Sequence, residues 1–199
     1  MSEVALSYPA TLEFNSPEKI ARWRPFVHWL LVIPHIFVLY VLSLVSGICV
    51  FIAWFAGVIT GKIPEGLQGV QAMTLRYNTR VTTYMLFLRE EYPPFDFDAS
   101  LVDDGKDPRV KVDFAPEFEG RNRLTIFFRL LLAIPQFFAL AIVGIAIYFV
   151  VIIGWFAVII LGHWPVGLRD FLIGYFRWSN RVNAYVYLLT DKYPPFSLQ

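Results

Sequence analysis

Two long apolar runs dominate the pattern of hydrophobic and polar positions along this chain. No Asp, Glu, Lys or Arg occurs from residue 30 to residue 60, or from residue 130 to residue 161. A buried helix of a soluble protein seldom exceeds about 20 residues, which is also the length that a helix needs to cross the hydrocarbon of a bilayer. Because charged side chains are costly in hydrocarbon, the two ion-free runs predict an integral membrane protein.

The composition of the chain changes this picture little. Of its 199 residues, 57% are hydrophobic and 17% are charged, whereas a soluble domain has about 25% charged residues. The net charge of +1 gives no reason to expect a nucleic-acid partner. The single cysteine, Cys49, lies within the first run and is interpreted as a small apolar packing residue.

The chain contains an internal repeat. When the sequence is shifted by 101 residues, its halves align without a gap. Residues 61–67 then meet 162–168 through a shared Gly-x-x-Pro-x-Gly-Leu, and residues 92–95 meet 193–196 through a shared Tyr-Pro-Pro-Phe. Across residues 61–95, thirteen of thirty-five positions are identical, which indicates a duplication.

Several short motifs also carry a family resemblance. They are Ile33-Pro34-His35, Ala53-Trp54-Phe55-Ala56, the Thr-Gly-x-x-Pro-x-Gly-Leu of residues 60–67, Arg177-Trp178-Ser179-Asn180-Arg181 and the two Tyr-Pro-Pro-Phe ends. Together they resemble the bacterial membrane-protein family catalogued as domain of unknown function 4389, present as two tandem copies. Gln136 replaces the expected His in the second copy, and Tyr77 replaces the expected Trp in the first. The resemblance supports the fold class and implies no activity.

Each apolar run is longer than one perpendicular crossing requires. As a single helix it would extend about 45 Å, against a hydrocarbon thickness of about 30 Å. The run is therefore either one tilted or kinked helix, or a helical hairpin that folds back near residues 43–47 and, in the second copy, near Gly144. Basic residues flank both ends of each run, for example Arg24 and Lys62. Because such residues prefer the cytoplasmic side, the pattern favours hairpins, either fully spanning or re-entrant.

The segments that follow the runs show helical periodicity with arginine and aromatic residues. Residues 66–88 and 167–189 are predicted to be amphipathic helices at the membrane surface, with a third crossing or a terminal strand in each as alternatives. The candidate lipid-headgroup or partner contacts are Arg76, Arg80, Arg177, Arg181, Trp178, Tyr92, Phe95, Tyr193 and Phe196. Guanidinium groups in such helices are expected near phosphates, and aromatic rings at headgroup depth.

These elements define the predicted domain organisation. The predicted units are residues 1–95 (first repeat, hairpin about 26–60, amphipathic helix about 66–88), 96–120 (acidic, solvated linker) and 121–199 (second repeat, hairpin about 124–161, amphipathic helix about 167–189). Strand-like stretches at residues 4–14 and 109–114 open the two copies and suggest a small cytoplasmic sheet. The predicted fold class is an all-α integral membrane protein of two tandem parallel repeats, related by an axis along the membrane normal.

No pattern of catalytic, cofactor-binding or metal-ligating residues stands out. The three histidines, His28, His35 and His163, have no acidic residue within the runs to complete a metal site. We therefore expect no cofactor and no catalytic residue. Membrane lipid is the expected partner, and a larger membrane complex or a second copy of the chain is a further option; nucleic acid is not expected.

Three function hypotheses follow from this pattern. The leading one is a non-enzymatic accessory or scaffold protein that packs against another membrane complex or organises lipid. The second is a small-solute or lipid transporter built from the duplicated hairpin, and the third is a lipid-modifying membrane enzyme. The expected location is the bacterial inner (cytoplasmic) membrane, crossed several times, with both termini in the cytoplasm.

Overall fold

The computed structural model describes residues 8–116 and 118–199, and these residues are mostly helical with one small sheet. In chain order the elements are β1 (Ala10–Phe14), α1 (Arg24–Leu31), α2 (Ile33–Thr60), α3 (Glu65–Met85), β2 (Val110–Phe114), α4 (Arg123–Phe127), α5 (Arg129–Leu161) and α6 (Val166–Val186). The prediction of a mostly helical fold is confirmed, and the structure contains two long apolar helices and a two-stranded sheet.

Each apolar run consists almost entirely of one uninterrupted helix. The helix α2 has 28 residues and α5 has 33, and neither folds back at residues 43–47 or at Gly144. The predicted apolar hairpins are therefore wrong. A fold-back there would remove backbone N–H and C=O groups from helical hydrogen bonds in an apolar stretch that offers few other partners. Among the described residues outside its own helix, for instance, a Cβ added at Gly144 would have only the hydroxyl of Tyr175 within 4 Å.

The reversal of chain direction comes after each apolar helix instead. Gly61 and Gly162 end α2 and α5 with φ angles of 71° and 76°, the left-handed conformation in which glycine has no steric penalty. Pro64 and Pro165 then precede α3 and α6. The shared Gly-x-x-Pro motif thus builds the same turn twice and lays α3 back along α2, and α6 back along α5.

The helices α3 and α6 are interior elements rather than interfacial ones. Most of the circumference of α3 is buried, and even its polar members Gln68 and Gln71 are 1% exposed. The alternative that residues 81–88 and 182–189 form strands is wrong, because helix continues to Met85 and Val186. The prediction of interfacial helices fails because sequence periodicity shows one apolar face, whereas the polar face here is covered by protein.

The two strands pair with each other, and each packs on a helix of the other repeat. β1 pairs with β2 in antiparallel fashion, with Leu12 opposite Val112. β1 of the first repeat packs on α6 of the second, and β2 packs on α3 of the first. The predicted strand-like stretches are confirmed at residues 10–14 and 110–114; residues 4–7 of the first stretch lie outside the described residues.

The acidic segment between the repeats is not a solvated linker. Asp103 and Asp107 are each 4% exposed, and the segment contains β2. These carboxylates are buried because arginines on and just after α3 hydrogen-bond them. Composition alone predicted solvent exposure because it does not reveal where opposite charges meet.

The elements stack in three layers. α3 faces the sheet with Leu75, and on its opposite side it packs Tyr77 against α2. α6 repeats this arrangement, with Ala184 toward the sheet and Val182 toward α5. The sheet therefore forms one outer layer, α3 and α6 form the middle layer, and the two apolar helices form the opposite outer layer.

The two apolar helices run in opposite directions. Trp54, near the end of α2, donates its indole N–H to the carbonyl of Ile126, 3.1 Å away in α4. The equivalent Trp155, near the end of α5, donates to the carbonyl of Pro25, 3.4 Å away in α1. Each apolar helix thus ends beside the start of the other. The predicted parallel relation of the repeats concerned the membrane normal and stays a prediction.

Candidate functional site

The outer face of α2 and α5 is an extended apolar surface. Both helices are long and apolar enough to cross a membrane, and in their most apolar windows only 11% and 17% of the residues are buried. Phe37 is 71% exposed, and Phe138, its equivalent in the second repeat, is 70% exposed. The same large rings therefore face outward at the same position of both repeats.

A single narrow stripe attaches each apolar helix to the rest of the protein. In α2 this stripe includes His35, Ser46, Ala53 and Gly57, and α5 buries an equivalent set. Gln71 of α3 donates to the carbonyl of Ser46 at 3.0 Å and accepts a hydrogen bond from its hydroxyl. The polar groups of α2 are thus directed inward, which leaves its outer face without polar side chains apart from isolated hydroxyls.

The predicted headgroup contacts Arg76 and Arg80 lie inside the protein. They are 2% and 0% exposed. Arg80 donates to Asp103 at 2.7 Å and to Asp96 at 2.9 Å, and Arg76 lies 3.3 Å from Asp103. Burial acts to raise the pKa of the Asp96 carboxyl, but hydrogen bonds from Arg80 and Lys106 outweigh it and hold the pKa below its usual range. The expectation that these two guanidinium groups meet phosphates is wrong, because their partners are carboxylates and backbone carbonyls of this chain.

The second repeat satisfies its arginines differently. Arg181 is 3% exposed and donates to the carbonyls of Gln199, at 2.6 Å, and Ser197. Arg177 is half-buried and donates to the carbonyl of Leu12 at 3.3 Å. Of these two predicted contacts, therefore, only Arg177 retains access to the surface, where it lines an open cleft of about 500 Å³.

The two Tyr-Pro-Pro-Phe ends close over the beginnings of the apolar helices. Tyr92 donates its hydroxyl to the carbonyl of Leu31 at 3.1 Å, and Tyr193 donates to the equivalent Leu132 at 3.3 Å. Four members of these ends, Tyr92, Phe95, Tyr193 and Phe196, are 43%, 50%, 42% and 58% exposed. These rings remain candidate contacts for lipid or a partner, since they are exposed beside the apolar face.

The two departures from the family motifs, Tyr77 and Gln136, occur at equivalent contacts of the two repeats. His35 and Tyr77 are hydrogen-bonded in the first repeat, with 2.5 Å between Nδ1 and the hydroxyl. At the same place in the second repeat, Trp178 donates its indole N–H to Gln136 at 2.8 Å. Trp178 is 5% exposed, so this predicted contact residue has a packing role. Each repeat therefore keeps a buried hydrogen bond here, although both partners differ.

A second buried ion cluster was not anticipated from the sequence. Arg121 donates to Asp191 at 2.9 Å, and Arg129, which is 1% exposed, donates to Asp191 and to the carbonyl of Tyr185 at 2.8 Å. His28 occupies the place of Arg129 in the first repeat and bonds the equivalent carbonyl, that of Tyr84, at 2.8 Å. The repeat alignment could have indicated that Arg129 has a structural role, because it pairs Arg129 with His28.

Two opposing effects determine the pKa of the Asp191 carboxyl. Burial acts to raise its pKa, whereas hydrogen bonds from Arg121 and Arg129 lower it more strongly, so the pKa lies below its usual range. The carboxylate is consequently ionised at neutral pH and neutralises part of two buried positive charges. This arrangement holds the start of α5 against the segment that follows α6.

Metal-ligating side chains do not converge in the part of the chain that the structure describes. Within residues 8–116 and 118–199, no group of three or more His, Cys, Asp or Glu residues is placed to hold a metal ion. The histidines have structural neighbours instead; the ring of His35, for example, stacks on Phe95 with 4.3 Å between centroids.

Comparison with known protein families gives one result, which occurs twice. Domain of unknown function (DUF4389) matches residues 22–96 and again residues 123–197. Each match contains one long apolar helix, the helix that follows it and one Tyr-Pro-Pro-Phe end, and both strands lie outside the matched residues. No curated protein and no solved structure matches the chain.

Proposed function

The chain belongs to the Domain of unknown function (DUF4389) family and carries the family unit twice, and from this premise we propose that it is a non-enzymatic accessory or scaffold protein of a membrane. In this role it packs against another membrane complex or organises the lipid around it. The observation that carries the proposal is the apolar face of α2 and α5, which is exposed along both helices.

The extent of this face supports a role in hydrocarbon. A soluble monomer seldom exposes a continuous apolar patch of more than about 300–600 Å². A helix of 28 residues is about 42 Å long, and α2 carries exposed large apolar residues from Ile33 to Ile59. Two such helices would attract one another or other proteins in water, whereas lipid or an apolar partner covers them stably.

The distribution of charge supports a cytoplasmic-membrane location. Basic residues such as Arg22, Lys62 and Arg123 lie at the ends of the apolar helices, and α2 itself contains no ion. Positive charges beside apolar segments favour the cytoplasmic side of a bacterial inner membrane. We place both termini on that side as part of the same proposal.

Vesicle flotation tests the membrane association directly. The test variant carries Leu44→Arg and Ile145→Arg, which are equivalent exposed positions near the middle of α2 and α5. An arginine at the centre of a hydrocarbon-embedded helix costs about 3 kcal/mol, so we expect the floating fraction to fall sharply. The matched control carries Thr11→Arg and Val102→Arg, which are exposed on the sheet side, and should float like the unmodified chain.

Two results would contradict membrane association. One is an unmodified chain that stays monomeric in water without detergent or lipid. The other is an equal loss of flotation in the test and control variants.

Photo-crosslinking then addresses the scaffold role: a benzoylphenylalanine at Phe37 or Phe138 in native membranes should form adducts with phospholipid or with one membrane protein. Absence of both kinds of adduct would count against the role.

A further inference from the structure

We propose that α2 and α5 lie flat in one leaflet of the bilayer, parallel to its surface, and that neither helix crosses it. This inference rests on the proposed membrane association and specifies the surface that lipid covers. It assigns the hydrocarbon of a single leaflet to the apolar layer and water to the sheet layer. The argument uses the repeat symmetry of the described residues and the positions of their charges.

The first step is the relative direction of the two helices. Phe26 of α1 packs on Trp155 near the end of α5, with 5.4 Å between ring centroids. The equivalent Phe127 packs on Trp54 near the end of α2 at 5.6 Å. A two-fold axis that exchanges two antiparallel helices is perpendicular to the plane that contains them. The repeat axis is therefore the normal of the α2–α5 layer.

The second step is to find which residues lie on this axis. Equivalent residues of the two repeats can touch only near it. Thr79 donates its hydroxyl to Asn180, its own equivalent, at 3.0 Å. In the sheet, Leu12 and Val112 are the middle residues of β1 and β2, and they form the central pair of the antiparallel ladder, where a two-fold axis that exchanges the strands must pass. The axis thus runs through the centre of the sheet and between α3 and α6, so the sheet lies on one side of the apolar layer.

Crossing helices would place the sheet in the wrong environment. If α2 and α5 stood along the membrane normal, the repeat axis would lie in the membrane plane at mid-depth. The sheet would then sit at the same depth, together with its exposed Glu13 and with the half-exposed pair of Lys111 and Asp113. Unpaired or solvent-dependent charges are rare and costly in hydrocarbon, so this orientation is disfavoured.

The flat orientation places the charged groups in water and the apolar faces in hydrocarbon. The sheet and the acidic segment face water, whereas the outer faces of α2 and α5, which carry no exposed ion, face acyl chains. Arg24 and Lys62, at opposite ends of the α1–α2 unit, come to lie at the same membrane surface. The basic flanks therefore share a compartment although the apolar run does not fold back. Helices with one lipid-facing side and no crossing are a known mode of membrane attachment.

Cysteine labelling distinguishes the two orientations. In a Cys49→Ala background, single cysteines replace Lys19, Lys62 and Lys106, all of which are exposed. An impermeant maleimide is applied to inside-out and right-side-out membrane vesicles from cells. We expect all three positions to react in the same vesicle type and to be protected in the other. Reaction of the Lys19 and Lys62 positions in opposite vesicle types would overturn the proposal.

Depth measurement gives an independent readout. Phe37, Leu44 and Phe55 lie on one face of α2, at intervals close to whole helical turns. Spin labels at these positions should report nearly equal depths, and labels at the equivalents Phe138 and Ile145 should match them. Crossing would instead separate residues 37 and 55 by about 27 Å along the helix axis, and a graded series of that size would overturn the proposal.

The outcomes separate this inference from the proposed function. A chain that does not float with vesicles would overturn both the membrane association and the orientation. A chain that floats but labels from opposite sides would retain membrane association and lose only the flat orientation. Flotation with one-sided labelling and equal depths would support both.

Discussion

Buried arginines in this protein are satisfied by its own carboxylates and carbonyls. Arg129 is 1% exposed and Arg121 is 5% exposed, and both donate to Asp191. Removing one partner from a buried ion cluster leaves an uncompensated charge, which costs far more than losing a surface pair. The stability of the second repeat is therefore expected to depend on the carboxylate of Asp191, which pairs with Arg129.

Asp191→Asn should destabilise the protein by about 3 kcal/mol, because the buried guanidinium group of Arg129 loses the carboxylate that pairs with it. Denaturant unfolding in detergent, followed by tryptophan fluorescence, measures the change in the free energy of unfolding. The control is Glu119→Gln, which breaks an exposed pair with Lys62 and should cost less than about 1 kcal/mol. Equal effects of the two substitutions would argue against the buried cluster.

The pH dependence of stability should follow the same carboxylate. The pKa of Asp191 is lowered in the folded protein, as burial is outweighed by the two arginines. Its stabilising contribution is therefore present above the ordinary carboxyl pKa of about 4 and is lost as the pH falls through the lower folded value. Melting temperatures measured from pH 7 to pH 3 should drop at the acidic end. Asp191→Asn should show a smaller drop, and an identical drop would contradict this assignment.

At the scale of helices, the two repeats conserve contacts by changing both partners together. The hydrogen bond between His35 and Tyr77 in α2 and α3 is replaced by one between Gln136 and Trp178 in α5 and α6. A close side-chain contact is conserved in a similar way. Where α2 has Ala53, α5 has the smaller Gly154, and Gly154 packs beside Trp164, which is larger than the equivalent Ile63. Such pairs indicate that helix packing is matched within each repeat.

Transplanting the polar pair tests this matching. His35→Gln and Tyr77→Trp should each destabilise the protein by about 1–3 kcal/mol, because each leaves a buried polar group without its partner. The double substitution reproduces the second repeat and should recover most of that loss. A double-mutant cycle of unfolding free energies measures the coupling, and purely additive losses would show that the two residues do not act as a pair.

Gly154→Ala should also destabilise the protein, by about 1–3 kcal/mol, because the added Cβ would lie 1.9 Å from the Trp164 ring. Adding Trp164→Ile, the residue at the equivalent Ile63, should restore most of the stability. The control is Gly144→Ala, whose Cβ would lie 3.6 Å from the Tyr175 hydroxyl, an ordinary contact. Thermal unfolding of the three variants decides the matter, and a neutral Gly154→Ala would contradict the close packing.

At the scale of the whole molecule, the repeats are interlocked. β1 packs on α6 and β2 packs on α3, so each strand lies against the other repeat. The amide of Ile20 donates to the carbonyl of Gly162 at 2.8 Å, and the equivalent amide of Arg121 donates to Gly61 at 3.2 Å. These symmetric contacts make the duplicated chain one unit, although its family matches are two.

Cleavage between the repeats should therefore leave them together. A protease site introduced between Glu119 and Gly120, which are exposed, allows the chain to be cut after folding. We expect the two fragments to co-elute from a sizing column in detergent, because β1 and Ile20 still contact the second repeat. Separation of the fragments without denaturant would contradict the interlocked arrangement.

The sequence by itself determined the elements and the duplication. The ion-free stretches of residues 30–60 and 130–161 correspond to α2 (Ile33–Thr60) and α5 (Arg129–Leu161), and the predicted strand segments contain β1 and β2. These features depend on local hydrophobic periodicity and on turn-forming glycine and proline residues, which act over a few residues. The family membership depends on the same short motifs.

Only the tertiary structure decided how those elements meet. The basic flanks favoured a hairpin, but α2 runs without interruption from Ile33 to Thr60, and the chain reverses only after Gly61. The arginines Arg76 and Arg80 suggested lipid phosphates, yet their partner Asp103 lies more than twenty residues along the chain. A local pattern fixes which surfaces avoid water. It does not fix which distant group covers them, because several arrangements bury the same residues and only long-range packing separates them.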